Sequence, residues 1–163
     1  MKTLLIVYHS RTGGSRQMAQ AAAEAVGAEG EVEVRLLEAE TATGDDLIAA
    51  EGYIFVGPEN LAAISGELKA FFDRAYYPVL GRIEGRPYAL MVCAGSDGEN
   101  AVRQIARIAT GWRLKAVADP IIVCTHAQTP EAILAPKTIA PADLAVCAEL
   151  GAAMAAGLAL GIY

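Results

Sequence analysis

An α/β fold is expected from this sequence: one domain, residues 1–163, in which helices sandwich a five-stranded parallel sheet of order 2-1-3-4-5 in three layers. Three observations lead there. Short apolar runs alternate with longer stretches of helical period from end to end, the pattern of strands joined by crossover helices. Three of those runs are continuously apolar, which suits strands covered on both faces, whereas two others carry the marks of a sheet edge. At 163 residues, the chain can also bury a core large enough to offset its conformational entropy without disulfide staples.

Leu4–Tyr8 is the first continuous run and the first strand. Met18, Ala22, Ala25 and Val26 then share one helical face, and Gly27 is placed to end that helix in a left-handed conformation. Val32, Val34 and Leu36 alternate with Glu31, Glu33 and Arg35, so the second strand has a wet face and lies at an edge. A short helix over Asp45–Ala50 precedes the third strand, Tyr53–Val56. Leu68, Phe71, Phe72 and Ala75 form the next apolar helix face, before the fourth strand at Tyr88–Ala94. Val102, Ile105, Ile108 and Ala109 make another face, with Gly111 as its stop and Trp112 as core. The fifth strand, Ala116–Thr125, contains Pro120, which has no N–H for a ladder and so belongs at an edge. Ala127–Ala140, with Pro130, Pro136 and the adjacent Pro141, reads as a long irregular loop of the kind that often serves function. Leu144, Cys147, Gly151, Ala155 and Leu158 mark the last helix. Edges at the second and fifth strands, joined by right-handed crossovers, select the order 2-1-3-4-5.

The formal charge of −6 and a pI near 4.9, with no local basic cluster, argue against nucleic acid as a partner. Only a short apolar run precedes His9, too little for a signal peptide, so the expected location is cytoplasmic. The apolar stretch Leu150–Tyr163 falls short of the roughly 20 residues of a bilayer span, and a packed terminal helix is expected instead. Small residues along it, Gly151, Gly157 and Gly161, permit close helix contact, so a homodimer or homotetramer is expected. Cys93, Cys124 and Cys147 are far apart in apolar surroundings with no Cys-x-x-Cys pair, and read as reduced core residues.

Ligands of open α/β sheets gather beyond the carboxyl ends of the strands where strand order reverses, here between the first and third strands. The loop His9-Ser10-Arg11-Thr12-Gly13-Gly14-Ser15 runs from a strand straight into a helix, so unpaired amides and a positive helix end face its occupant. Glycines allow close backbone approach, and Ser10, Thr12 and Ser15 add hydroxyls suited to a phosphate monoester. A plain strand-to-helix turn with capping serines uses the same residue types. Neither Gly-x-x-x-x-Gly-Lys-Ser/Thr nor Gly-x-Gly-x-x-Gly is present, which disfavours nucleoside triphosphate and dinucleotide folds.

This loop resembles the Ser-x-Thr-Gly phosphate loop of flavodoxins and of flavodoxin-like NAD(P)H:quinone and FMN reductases. The resemblance implies a flavodoxin-like sandwich with FMN's phosphate on Ser10, Arg11, Thr12, Gly13, Gly14 and Ser15. Val56-Gly57-Pro58-Glu59-Asn60-Leu61-Ala62-Ala63-Ile64-Ser65-Gly66, followed by Lys69-Ala70-Phe71-Phe72-Asp73-Arg74, is similar to the quinone-reductase group without gaps. By that likeness the backbone of Pro58, Glu59, Asn60, Leu61, Ala62 and Ala63 touches the flavin ring. Leu61 and Ala62 stand where that group usually has an aromatic and a glycine, and Gly57 and Gly14 replace a usual threonine and a usual polar residue. The third loop, Ala94, Gly95, Ser96, Asp97, Gly98 and on to Asn100, opens a helix whose amides face the flavin's pyrimidine edge, with Asp97 and Glu99 as helix-start residues. Lys69 and Asp73 are spaced as an i,i+4 pair, and His126 follows the edge strand, away from the reversal point. The activity implied is an NAD(P)H-dependent quinone or flavin reductase. The alternatives are a carrier of single electrons between protein partners, or a fold with little flavin affinity.

Overall fold

The computed structural model describes residues 1–163. In chain order the elements are β1 (Lys2–Tyr8), α1 (Gly14–Glu29), β2 (Val32–Glu38), α2 (Gly44–Ala49), β3 (Gly52–Asn60), β4 (Ala63–Ile64) and α3 (Gly66–Val79). They continue with β5 (Pro87–Ala94), α4 (Glu99–Gly111), β6 (Lys115–Ala116), β7 (Ile121–Cys124), α5 (Pro130–Leu134) and α6 (Pro141–Leu160). The sheet runs β2-β1-β3-β5-β6, with β7 also on β5 and the short β4 antiparallel to β3.

Both faces of the sheet are covered, which is why β1, β3 and β5 read as unbroken apolar runs. Alternation sends Leu5, Val7, Phe55, Leu90 and Val92 to one face, against Leu68, Phe71, Phe72, Ile105 and Trp112. Leu4, Ile6, Ile54, Val56 and Met91 point to the other, against Met18, Ala22, Val26, Leu150 and Met154. Each fully buried strand leucine contributes about 1.5–3 kcal/mol relative to leaving it in water. Trp112 sits edge-on to both Phe55 and Phe72, as its core assignment required.

The sheet has seven strands, not the five expected. The anticipated fifth strand is broken: Lys115 and Ala116 pair with Pro87 and Tyr88, and the ladder resumes only at Ile121, opposite Met91. Asp119 and Pro120 lie in the gap, where the proline nitrogen cannot donate. The turn Leu61–Ala62 creates β4, which no glycine in the sequence announced. Helix α1 runs past Gly27 and stops at Gly30, which takes the left-handed conformation at φ 71°. The expected irregular stretch 127–140 contains α5, started by the Thr129 side chain, which accepts from the Ala132 amide, and by Pro130 at the first helical position.

Helix α6 is also longer than its apolar tail suggested, with 20 residues from Pro141, enough by length and composition to cross a bilayer. Its buried side (Cys147, Leu150, Gly151, Met154 and Leu158) packs into the core beside α1. Gly151 lies so close to the Ala22 backbone that a Cβ there would overlap it.

Candidate functional site

The first wall of the site begins at His9, which is buried and does not enter the cavity. Its amide donates to Val56 O at 3.0 Å, and Nδ1 lies 3.0 Å from Ser65 Oγ. Nε2 stands 3.6 Å from Glu40 and 3.7 Å from Glu67. These contacts fix where the chain leaves β1. Gly13, left-handed at φ 96°, then donates its amide to Ser10 Oγ at 3.1 Å and closes the turn. The Ser10 hydroxyl keeps its own proton free to donate.

Helix α1 starts at Gly14, so the amides of Gly14, Ser15 and Arg16 have no carbonyl one turn back within the helix, and they carry its positive end. Gly14 is required by packing: a Cβ there would stand 2.6 Å from Cys93 Sγ on β5. Ser15 Oγ, on a residue only 2% exposed, has no hydrogen-bond partner. An orphaned buried hydroxyl beside free helix amides is what a site for a multiply accepting anion looks like before its ligand arrives.

The second wall is the β3–β4 hairpin. Glu59 faces Ile64 and Asn60 faces Ala63, leaving Leu61 and Ala62 as a two-residue turn at φ 50° and 60°. That left-handed geometry normally takes Asn-Gly, and it costs an L-residue about 1–2 kcal/mol. The turn is held from outside: Glu59 accepts from the Gly98 amide at 2.7 Å, Asn100 donates to Ala62 O, and Gln104 accepts from the Ile64 amide at 2.8 Å. Leu61 is thereby fully exposed at the cavity mouth.

The third wall is the end of β5. Cys93, Ala94 and Gly95 line the cavity, and the carbonyls of Ala94 and Gly95 are taken by the amides of Thr125 and His126 at 2.9 and 2.8 Å. Burial pushes the Cys93 thiol up to about 11, so it is neutral near pH 7. The Gly98 amide, spent on Glu59, does not face the cavity, and Asp97 accepts from the Glu99 amide at 3.3 Å as a helix-start residue. Ser10, Arg11, Thr12, Gly14, Ser15, Pro58, Glu59, Asn60, Leu61, Ala94 and Gly95 therefore converge on one cavity of about 660 Å³, while Gly13, Ala62, Ser96, Asp97 and Gly98 do not line it.

A fourth wall is made by Thr125 and by Ala127, Ile133, Leu134 and Lys137 of the stretch expected to serve function, none of which the sequence reading named as a site residue. The segment after α5 is sewn to the first loop. Lys137 N donates to Thr12 O at 2.8 Å, and Gln17 Nε2 donates to both Gly13 O and Lys137 O at 2.8 and 2.7 Å. Gln17 Oε1 accepts from the Ile139 amide at 3.0 Å. The available signal was Thr129-Pro130-Glu131, a helix start, rather than the prolines as loop markers.

Residues outside the cavity sort plainly. His126 is exposed and left-handed at φ 58°. Lys69 and Asp73 pair at 2.6 Å. Arg74 is more than helix surface, since it donates to Ala39 O and Ala42 O at 2.6 and 3.0 Å. Cys124 is half-buried rather than core, with its sulfur 3.8 Å from Asp97 O.

A family model described as NADPH-dependent FMN reductase matches residues 1–129. A flavodoxin of Aquifex aeolicus (strain VF5) is 34% identical over 97 residues, or 60% of this chain and 50% of that protein, so the chain spans about half the length of this curated relative. Among solved structures, a flavodoxin from the domain Archaea superposes at TM-score 0.77 and 20% identity, covering 96% of this chain and 98% of that one. A flavodoxin, WrbA-like protein from Agrobacterium tumefaciens superposes at TM-score 0.75 and 19% identity, covering 99% of each chain.

Proposed function

This chain belongs to the NADPH-dependent FMN reductase family, within the flavodoxin-like proteins, and on that premise we propose that it binds FMN and uses NAD(P)H to reduce a quinone or a second flavin. The observation that carries the cofactor assignment is the unpartnered Ser15 hydroxyl at the start of α1. A phosphate monoester offers three strong acceptor oxygens, and the hydroxyls of Ser10, Thr12 and Ser15 with the amides of Gly14 and Ser15 are neutral donors that suit it.

Bound FMN supplies the hydride and electron chemistry; the protein supplies binding, orientation and exclusion of water. Leu61 on one rim, with Ile133 and Leu134 on the other, presents aliphatic surface to a flat ring at the mouth of the cavity. Glu59 and Asn60 set the hairpin edge of the cavity, and the Gly98 contact keeps the Glu59 carboxylate in place. Arg11, exposed on the lining, is the cation placed to meet the phosphates of an incoming nicotinamide cofactor. No side-chain acid or base is needed for hydride transfer to the flavin.

The likeness to the Aquifex flavodoxin supports a second reading, a carrier that passes single electrons between proteins. Flavin-loaded protein mixed with NADPH separates the two. Steady NADPH consumption that requires added quinone or free FMN supports the reductase. No consumption, with electrons accepted only from a protein reductase, supports the carrier. Protein that leaves added FMN fluorescence unquenched sinks both.

A further inference from the structure

Apart from the exposed Arg11, the phosphate loop offers only neutral donors, yet a phosphate monoester carries about −1.5 to −2 charges near neutral pH. Stripping water from that much charge against hydroxyls and amides alone is costly. A second cation, half-buried, reaches the loop from a distant part of the sequence. Lys137 Nζ lies 3.3 Å from Thr12 Oγ1 and 2.8 and 2.6 Å from the carbonyls of Ile133 and Ala135. It lines the same cavity as the orphaned Ser15 hydroxyl and forms no ion pair.

We propose that Lys137 is the charge partner of the phosphate in this cavity and so selects the phosphorylated flavin over riboflavin. The inference rests on the FMN reading above. The carbonyls around Nζ are neutral, so they hold the ammonium in position without cancelling its charge. The contact with Thr12 adds a second effect: with its lone pair engaged by the ammonium, the Thr12 hydroxyl is fixed as a donor toward the cavity. The ammonium's field extends beneath the loop, where it opposes the upward shift of the Cys93 thiol. The stitch of this segment to Thr12 and Gln17 runs through the Lys137 backbone amide and carbonyl, which a change of its side chain leaves in place.

The test compares FMN, riboflavin and inorganic phosphate on the wild-type chain and on Lys137→Met, which keeps the length of the side chain and removes its charge. Flavin fluorescence titrations should show FMN affinity falling about 10- to 100-fold in the variant, with riboflavin affinity unchanged within about twofold. A merely structural role for the segment would weaken both flavins alike, and that result, or no change in either, overturns the proposal. Wild-type protein that binds neither flavin would instead refute the FMN reading. The phosphate titration, followed by the NMR shifts of the Gly14 and Ser15 amides, then decides on Lys137: shifts lost in the variant support it, and shifts equal in both proteins, or absent from both, overturn it.

Discussion

Replacing Ser15 with alanine should make the ligand-free protein more stable and the complex weaker. The hydroxyl is buried and unpartnered, and a buried polar group left unsatisfied costs about 1–3 kcal/mol. Alanine removes that cost, fits in less space and is a better helix former in the first turn of α1. For a domain of this size each kcal/mol moves the midpoint by about 2–4 °C, so the ligand-free variant should melt several degrees higher. Binding moves the other way: losing one hydrogen bond to a charged group removes about 1.5–3 kcal/mol, or roughly 10- to 100-fold in FMN affinity. Thermal denaturation with and without FMN, together with a flavin titration, reads both effects. A ligand-free variant that melts lower than wild type, or one that binds FMN as tightly, would refute the reasoning that this hydroxyl waits for a phosphate.

Four further outcomes are expected. Leu61→Trp places an aromatic face at the cavity mouth and should tighten FMN by about two- to tenfold in the same titration; unchanged affinity would remove Leu61 from the ring site. Ala62→Gly relieves an exposed left-handed alanine at φ 60° and should raise stability by about 1 kcal/mol in thermal melts, whereas a loss would show that the turn is unstrained. Gly14→Ala drives a Cβ to 2.6 Å from Cys93 Sγ and should cost about 1–3 kcal/mol, recovered in part by Cys93→Ala in a double-mutant cycle; strictly additive effects would contradict the contact. Burial raises both Cys93 and Cys147 from 9.0 to about 11. Their contribution is therefore complete below pH 9 and disappears as pH climbs toward 11, on the order of 2–3 kcal/mol each. Urea unfolding should show that alkaline decline flattened when both are alanine; an identical decline would place its cause elsewhere.

The sheet was legible wherever burial alone dictated residue type. The runs Leu4–Tyr8 and Tyr88–Ala94 must be apolar because helices cover both faces, and β2 betrayed its edge through alternation. The turn from β1 into α1 was legible because a short strand-to-helix junction leaves a characteristic residue pattern. Long-range features were not. Nothing local says that Gln17 meets residues 137 and 139, or that the Gly98 amide goes to Glu59 instead of the cavity. Pro120 announced an edge but could not say that the strand would break into two pieces. Leu61–Ala62 folds into a turn its own propensities resist, because Glu59, Asn100 and Gln104 secure it through tertiary contacts.

The stitch between residues 12 and 137 gives the cavity a place in the order of assembly. During synthesis β1 and the loop after it emerge before α5 and Lys137, and they lack their closing wall until the segment after β7 has followed. A product ending before Lys137 would retain every strand of the sheet and still lack a finished pocket, so ligand capture reports on synthesis through residue 137.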